Sequence, residues 1–260
     1  MEQAEAQKQL AIGQHSRQAD EFAQRYRDLD SSVYTSCFAY SRWRLDVLLE
    51  SCLPPNGEGL RLLDLGCGTG HQMAGFRERG FEVAGVDGSE DMLEYARANN
   101  PEAEIKHSDV ESIPFQTASF DFVLCIEVLR YLPDSTRCVK EIARVLKPGG
   151  VCLVTAAPVF SLNGYWLVNR IANLVPVGDL VRLKQFFTTS WRLRQSFLAA
   201  GFLNPEVHGV YQGPISWIER LAPSLLPPFL KAWEPVDAAL ADRPVVREFS
   251  NMFLVRAVRG

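Results

Sequence analysis

The sequence has 260 residues, of which 47% are hydrophobic and 22% are charged, as in an ordinary globular protein. It contains 27 basic and 31 acidic residues, so its formal net charge is −4. Such a chain has no general positive field for a phosphate backbone, which argues against a nucleic-acid partner. The first 22 residues are too polar for a signal peptide and no run of 18 apolar residues occurs, so we expect a cytoplasmic protein without a transmembrane span.

The six cysteines are scattered, and no two of them form a C-x-x-C pair. Several lie inside apolar runs, so we predict small buried side chains in a reducing compartment. They are Cys37, Cys52, Cys67, Cys125, Cys138 and Cys152.

Residues 1–58 are predicted to form helices that precede the first strand and end at Pro54-Pro55-Asn56-Gly57. From residue 59 to 157, short apolar strands then alternate with helical patterns, which is typical of a parallel sheet covered by helices. The predicted strands are 60–65, 82–87, 103–107, 120–128 and 151–157. The helix that starts at Thr136 is expected to end at Lys147, where Pro148-Gly149-Gly150 follows.

The regular alternation of strands and helices ends after residue 157. Residues 158–187 and 212–247 are rich in aromatic residues, proline and leucine, and between them lie an N-capped helix and one strand of a final pair, 206–212 with 251–258. Long insertions in a compact domain are usually functional, so we predict a lid above the carboxyl ends of the strands. Pro223, Pro227 and Pro228 argue against a long interfacial helix there.

The segment LLDLGCGTG, residues 62–70, leads from the first strand into a helix and predicts a nucleotide loop, because backbone N–H groups and the helix N-terminus face a ligand there. A dinucleotide loop needs G-x-G-x-x-G, and His71 stands at the third glycine position. No tyrosine is followed by lysine four residues later, and no Gly-Lys-Ser/Thr occurs, so neither a short-chain dehydrogenase pair nor a P-loop is present.

Two carboxylates complete this pattern. Asp87 ends the second strand about 20 residues after the first glycine, where it can accept hydrogen bonds from both ribose hydroxyls. Asp109 follows the third strand, where it can receive an adenine amino group. The loop and these two residues together describe an adenosine site without a pyrophosphate.

The motifs LLDLGCGTG, VAGVDGSEDMLEYAR, DVESIPFQTASFDFVLCIEVLRYLPD and EIARVLKPGG resemble the class I S-adenosylmethionine-dependent methyltransferases. The closest pattern is the group that includes the ubiquinone and menaquinone C-methyltransferases. The resemblance covers residues 60–157 in order and spacing. It implies one α/β domain with a Rossmann-like, doubly wound and mostly parallel seven-stranded sheet, a helical N-terminal cap (1–58), a cofactor-binding core (59–157) and the lid insertions.

The resemblance also assigns roles along the cofactor. Asp64 and the glycines would surround the methionine part, Asp87 would hold the ribose, and Ile126 would offer its carbonyl to the ammonium group. Tyr26 would close over the methionine carboxylate. The full set of cofactor-binding candidates is Tyr26, Asp64, Gly66, Gly68, Gly70, Asp87, Gly88, Met92, Asp109, Val110 and Ile126.

No metal site and no general base are assigned. Glu127, Arg130 and Tyr131 follow the fourth strand and could reach an acceptor, but a solvated arginine and a packed tyrosine explain them equally well. His71 could likewise face an acceptor or only occupy the first turn of a helix. The other histidines, His15, His107 and His208, show no partner pattern and are expected to be structural or solvated.

The signature [Asp/Asn]-Pro-Pro-[Tyr/Phe] of nucleic-acid amino methylation is absent after the fourth strand, which favours a small-molecule acceptor. The apolar lid suggests a hydrophobic or amphiphilic one, such as a quinone, lipid or polyketide. Residues 158–235 contain seven basic and four acidic residues, a net +3, so a transient membrane contact stays open, although a substrate pocket is favoured. The alternatives are a Rossmann NAD(P) oxidoreductase and a non-catalytic S-adenosylmethionine-binding protein.

Overall fold

A computed structural model describes residues 2–27, 33–174 and 184–260. The N-terminal part forms the three helices α1 (Glu2–Arg17), α2 (Ala19–Arg27) and α3 (Cys37–Cys52). Helix α3 begins after Ser36, whose Oγ accepts a hydrogen bond from the Ala39 amide at 3.0 Å. It ends just before the two prolines, as the sequence predicts.

The core is a seven-stranded sheet with the order β3-β2-β1-β4-β5-β7-β6. All neighbours are parallel except β7, which runs antiparallel to β5 and β6. The strands are β1 (Arg61–Leu65), β2 (Glu82–Asp87), β3 (Glu104–His107), β4 (Phe120–Cys125), β5 (Leu146–Ala156), β6 (Phe202–Gly209) and β7 (Phe253–Arg259). The helices between them are α4 (His71–Glu78), α5 (Glu90–Asn99), α6 (Thr136–Val145) and α8 (Ser190–Ala199). The predicted fold class is confirmed.

The boundary between α6 and β5 differs from the prediction. The helix ends at Val145 rather than at Lys147, and Pro148-Gly149-Gly150 lies inside β5. The register between β4 and β5 shifts there, and Gly149 has a φ of +77°, a left-handed conformation that glycine adopts without strain. The Pro-Gly-Gly segment therefore forms an irregularity within the strand and not the end of the helix.

The segments around β6 contain α7 (Tyr165–Leu174), α9 (Ile215–Leu221) and α10 (Leu226–Leu240). Helix α10 has 15 residues, so the expectation that the prolines exclude a long helix is wrong. Pro227 and Pro228 occupy its first turn, where a missing N–H breaks no intrahelical hydrogen bond. None of the described helices combines the length and apolar character needed to cross a membrane.

Apolar side chains cover both faces of the sheet. One cluster includes Phe120, Val139 and Phe197, and the other joins Leu45 and Met73 to the inner strands. All six cysteines are free, and five of them are buried, as predicted. The carboxyl ends of β1, β2 and β4 are left uncovered by the sheet helices, and this is where the described cavity lies.

Candidate functional site

A cavity of about 380 Å³ opens at the carboxyl ends of β1, β2 and β4, below α1, α2 and α3. Ten of the eleven residues predicted to bind the cofactor line it, although they come from well-separated parts of the chain. These ten are Tyr26, Asp64, Gly66, Gly68, Asp87, Gly88, Met92, Asp109, Val110 and Ile126.

The glycine loop forms part of the cavity floor. Gly66 has a φ of +79° and its amide donates to the Val86 carbonyl at 2.7 Å, which ties the loop to β2. Gly68 has a φ of +52°, and a Cβ atom added to it would meet nothing within 4 Å. The Gly68 backbone therefore borders open space that a ligand can approach closely.

Gly70 is the predicted residue that does not line the cavity. Its φ is +71°, and an added Cβ would lie 2.6 Å from the Asn100 amide nitrogen and 2.9 Å from the Ala96 Cα. Glycine is needed at this position because the start of α4 packs closely against α5. The third glycine of the motif shapes the helix junction beneath the cavity.

Two aspartates lie in the cavity wall, Asp64 buried and Asp87 half-buried. Both Asp87 carboxylate oxygens accept backbone hydrogen bonds, Oδ2 from the Gly68 amide and Oδ1 from the Ser89 amide, each at 2.9 Å. Burial nevertheless raises the pKa of Asp87 above its ordinary value. Burial also raises the pKa of Asp64 to about 7, against the effect of the Arg42 charge and with a further contribution from Asp87.

Helix α1 covers the side of the cavity that Asp109 borders. The Lys8 ammonium forms an ion pair with the Asp109 carboxylate and another with Glu111 at 2.8 Å. Burial lowers the pKa of Lys8, but its hydrogen bonds to Asp109, Glu111 and Glu5, together with the Asp109 charge, outweigh burial and raise it. On the same helix, the Ile12 side chain packs so closely on Gly88 that an added Cβ would lie 2.8 Å from it.

An arginine and two rings lie at the opposite end of the cavity. The Tyr26 ring stacks on the His71 ring with centroids 4.7 Å apart, and the Arg42 guanidinium carbon lies 5.8 Å from the Tyr26 centroid. Arg42 is buried and its Nε contacts Asp46 at 3.3 Å. Its Nη2 is buried without a hydrogen-bond partner among the described residues. Burial raises the pKa of Tyr26.

Aromatic side chains form a further wall beside α1 and α2. The His15 ring lies 4.9 Å from the Tyr131 ring and 5.7 Å from the Phe22 ring, measured between centroids. Glu127 and Arg130 form an ion pair in the same wall. Glu127 has a φ of +63°, an uncommon conformation for glutamate, and its amide donates to Thr155 Oγ1 at 2.6 Å.

Sequence reasoning missed Lys8, Arg42 and His15 as cavity residues. Each lies in the N-terminal helices, outside the core motifs, and no local pattern marks it. His15 was expected to be structural or solvated, whereas it lines the cavity. Only the packing of these helices over the sheet reveals the three positions.

The two predicted lid insertions contribute no cavity-lining residue within the part of the chain that the structure describes. Residues 175–183 of the first insertion lie outside the described residues. The described parts pack against α3: the Glu219 carboxylate accepts a hydrogen bond from the Cys37 amide at 2.8 Å. Two of their three tryptophans, Trp166 and Trp217, are exposed, and the third, Trp233, is half-buried and donates a hydrogen bond to the Gln212 carbonyl at 3.0 Å.

Comparison with known proteins identifies the family of this chain. A family model described as a methyltransferase domain matches residues 63–154. Demethylmenaquinone methyltransferase from Staphylococcus aureus is 31% identical over 176 residues, which are 60% of this chain and 73% of that protein. The chain belongs to the class I S-adenosylmethionine-dependent methyltransferases. It is therefore an enzyme that uses S-adenosylmethionine, as the sequence predicts, and the oxidoreductase alternative is set aside.

Two further similarities agree with membership in the methyltransferase family. The biotin biosynthesis bifunctional protein from Cellvibrio japonicus is 39% identical over 133 residues, 50% of this chain but only 26% of that protein. Magnesium protoporphyrin IX methyltransferase from Synechocystis PCC 6803, solved with bound S-adenosylhomocysteine, shares the fold. Its TM-score is 0.62 at 15% identity, with 98% of this chain and 100% of that chain covered.

The cavity suits the methyltransferase cofactor on structural grounds. The open backbone at Gly68 provides a cradle that a Cβ atom would fill, Asp87 provides a carboxylate beside it, and Arg42 has a buried donor without a partner among the described residues. A group with hydroxyls at one end and a carboxylate at the other matches these donors and acceptors.

Proposed function

We propose that this methyltransferase transfers the methyl group to a small hydrophobic or amphiphilic acceptor inside this one cavity. The observation that carries the proposal is continuity: the same cavity extends from the glycine loop to the aromatic wall of His15, Phe22 and Tyr131. Cavities lined by apolar groups with a few placed polar atoms are typical of small-molecule sites.

We propose that the cofactor lies with its adenosine toward α1 and its methionine toward α3. Asp87 would accept from the ribose hydroxyls, while Gly88, Met92 and Val110 would flank the adenine and Asp109 its polar edge. At the other end, Arg42 Nη2 would hold the methionine carboxylate beneath Tyr26. Asp64, Gly66, Gly68 and the Ile126 carbonyl would surround the amino end, with Gly70 supporting the loop from below.

When bound, S-adenosylmethionine supplies a methyl group already activated on a sulfonium. The chain has only to align the acceptor with it and exclude water, and such alignment can contribute up to about 7–11 kcal/mol to lowering the barrier. Phe22, Tyr131 and His15 would orient the acceptor on the aromatic wall. The Glu127–Arg130 ion pair would fix the polar end of an amphiphile.

We further propose that His15 removes the proton of an acceptor that carries one. The His15 Nδ1 lies 2.8 Å from the Ala11 carbonyl oxygen, which can only accept, so Nδ1 carries the hydrogen. In the neutral ring Nε2 is then left with a lone pair. A ring nitrogen with a free lone pair, on a residue that lines the cavity next to Tyr131, supports this role.

The similarity to a demethylmenaquinone methyltransferase supports testing quinols first, then phospholipids and polyketide phenols. The purified enzyme would be incubated with methyl-labelled S-adenosylmethionine and each acceptor, followed by extraction into organic solvent. We expect label in the organic phase and, for Phe22→Ala, a raised acceptor KM with unchanged cofactor affinity. Label found only in protein or nucleic acid, or no transfer to any acceptor, would reject the proposal.

We also propose that residues 1–260 act as one methyltransferase domain, with the cap, core and lid divisions given above. The free, mostly buried thiols support a cytoplasmic location, because reducing compartments keep such cysteines unpaired.

A further inference from the structure

Exposed apolar side chains form a patch on the outer surface of α7 and α9, which we call the tryptophan face. Trp166 is 38% exposed, Trp217 is 40% exposed and Leu221 is 80% exposed. The face consists of Trp166, Leu167, Arg170 and Ile171 of α7 with Trp217, Arg220 and Leu221 of α9. Within each helix, these positions share one side at a spacing of 3.6 residues per turn.

Hydrogen bonds join the start of α7 to the start of α9. The Tyr165 hydroxyl and the Ser216 hydroxyl are 2.6 Å apart, and the Ser216 amide donates to the Asn163 side-chain oxygen at 2.9 Å. Trp166 and Trp217 immediately follow Tyr165 and Ser216 in the chain. A Cβ atom added to Gly164, just before α7, would lie 3.9 Å from the Trp217 Nε1, so the exposed residues of the two helices belong to neighbouring parts of the surface.

The charges on this face are all positive. The Arg170 guanidinium lies 5.5 Å from the Trp166 ring centroid, and Arg220 follows Trp217 by three residues. No carboxylate among the described residues forms an ion pair with Arg170 or Arg220. The acidic residue of α9, Glu219, instead accepts a hydrogen bond from the Cys37 amide. Each helix thus presents a tryptophan beside an unneutralised arginine.

We propose that the tryptophan face docks onto the surface of an anionic lipid bilayer. Tryptophan rings favour the depth of the headgroups, and arginine side chains can lie along apolar surface with their charge in the headgroup layer. The whole chain carries −4, so an anionic membrane attracts it only where positive charge is concentrated. Helices α7 and α9 have ten and seven residues, too short to span, so they lie on the surface.

A second copy of this chain fits the face less well. A twofold dimer through this patch would bring the arginines of both copies toward one another, and like charges oppose such contact. The docking is independent of which acceptor the enzyme methylates, so it goes beyond the proposed function. It would hold the protein where membrane-dissolved amphiphiles are concentrated.

The test is vesicle cosedimentation of the full chain with pure phosphatidylcholine and with phosphatidylcholine containing about 30% phosphatidylglycerol. We expect binding only to the anionic vesicles, weakening as salt rises. R170Q/R220Q should bind about 30-fold more weakly, because each lost charge lowers the affinity by about a factor of five. W166A/W217A should lose about tenfold or more at every salt concentration, through lost apolar contact. W191A removes another exposed tryptophan, 67% exposed on α8, and should bind like wild type.

Equal binding to both vesicle types, unchanged binding of R170Q/R220Q, or the same loss in W191A would overturn the proposal. So would light scattering that shows a dimer dispersed by W166A/W217A, because the face would then be a protein interface. Affinity for S-adenosylmethionine is measured on every variant to show that it is folded. Intact vesicle binding without methyl transfer would count against the proposed function alone.

Discussion

The Gly68 amide donates a hydrogen bond to the Asp87 Oδ2 at 2.9 Å and so joins the glycine loop to the end of β2 across the cavity floor. The other oxygen of Asp87 is held by the Ser89 amide at the start of α5. The carboxylate is therefore fixed before any ligand arrives, and ligand binding need not order it. Such preorganisation reduces the entropy lost on binding.

Replacing Asp87 tests its proposed contact with the ribose. Hydrogen bonds to a charged group contribute roughly 1.5–3 kcal/mol, so Asp87→Ala should weaken S-adenosylmethionine binding about 10- to 150-fold in calorimetric titration. Asp91→Ala, an exposed carboxylate in the first turn of α5, is the matched control and should bind normally. Unchanged affinity in folded Asp87→Ala would remove this residue from the site.

The raised pKa of Asp64 makes stability depend on pH. The folded protein keeps this proton up to about pH 7, whereas an unfolded aspartate loses it near pH 4. Between these values the folded state binds more protons, so this residue lowers the free energy of unfolding as pH rises, by at most about 4 kcal/mol. Asp64→Asn should remove that part of the slope in urea unfolding of the cofactor-free protein from pH 5 to 8. A variant with the wild-type slope would contradict the assignment.

Arg42 is expected to recognise only the methionine end of the cofactor. Arg42→Lys loses the buried Nη2 donor and should weaken S-adenosylmethionine binding about 10- to 150-fold. Methylthioadenosine lacks the amino-acid part, so its affinity should stay the same in wild type and variant. Equal losses for both ligands would show that Arg42 acts through the fold and not through the carboxylate.

Lys8 fastens α1 over the adenosine side of the cavity. Lys8→Met removes the ion pairs to Glu5, Asp109 and Glu111 and leaves three carboxylates close together, so we expect α1 to detach more often. Cofactor release in stopped-flow measurements should accelerate by about tenfold, together with faster proteolysis within α1. Gln9→Ala, next to it and exposed, is the control. Release at the wild-type rate would show that α1 does not retain the ligand.

The role proposed for His15 is tested by kinetics rather than by binding. His15→Ala should lower kcat by about 10²- to 10⁴-fold, the usual contribution of a general base, with little change in cofactor affinity. Added imidazole should restore part of the rate. His107→Ala, at the exposed last residue of β3, should behave as wild type. A lowered kcat in His15→Ala that added imidazole does not restore would leave His15 as an orienting residue only.

The sequence by itself determined the core of this protein. Strand periodicity, the glycine loop and Asp87 are local signals, because each depends on residues adjacent in the chain or on the alternation of one strand with one helix. Parallel strands bring their carboxyl ends to one edge, so the pattern of strands and helices is enough to place Asp64, Asp87 and Ile126 together. The family and its cofactor follow from the same motifs.

The tertiary structure alone decided what covers that core. Lys8 meets Asp109 across about 100 residues of chain, and Arg42 reaches the cavity only because α3 packs beside β1. Composition showed that the insertions are aromatic, but only packing shows that Trp166 and Trp217 face outward. The sequence prediction took Pro227 and Pro228 as evidence against a long helix, but α10 tolerates them because they occupy its first turn. Long-range packing and the position of a residue within its helix are not local properties, so a pattern read along the chain does not contain them.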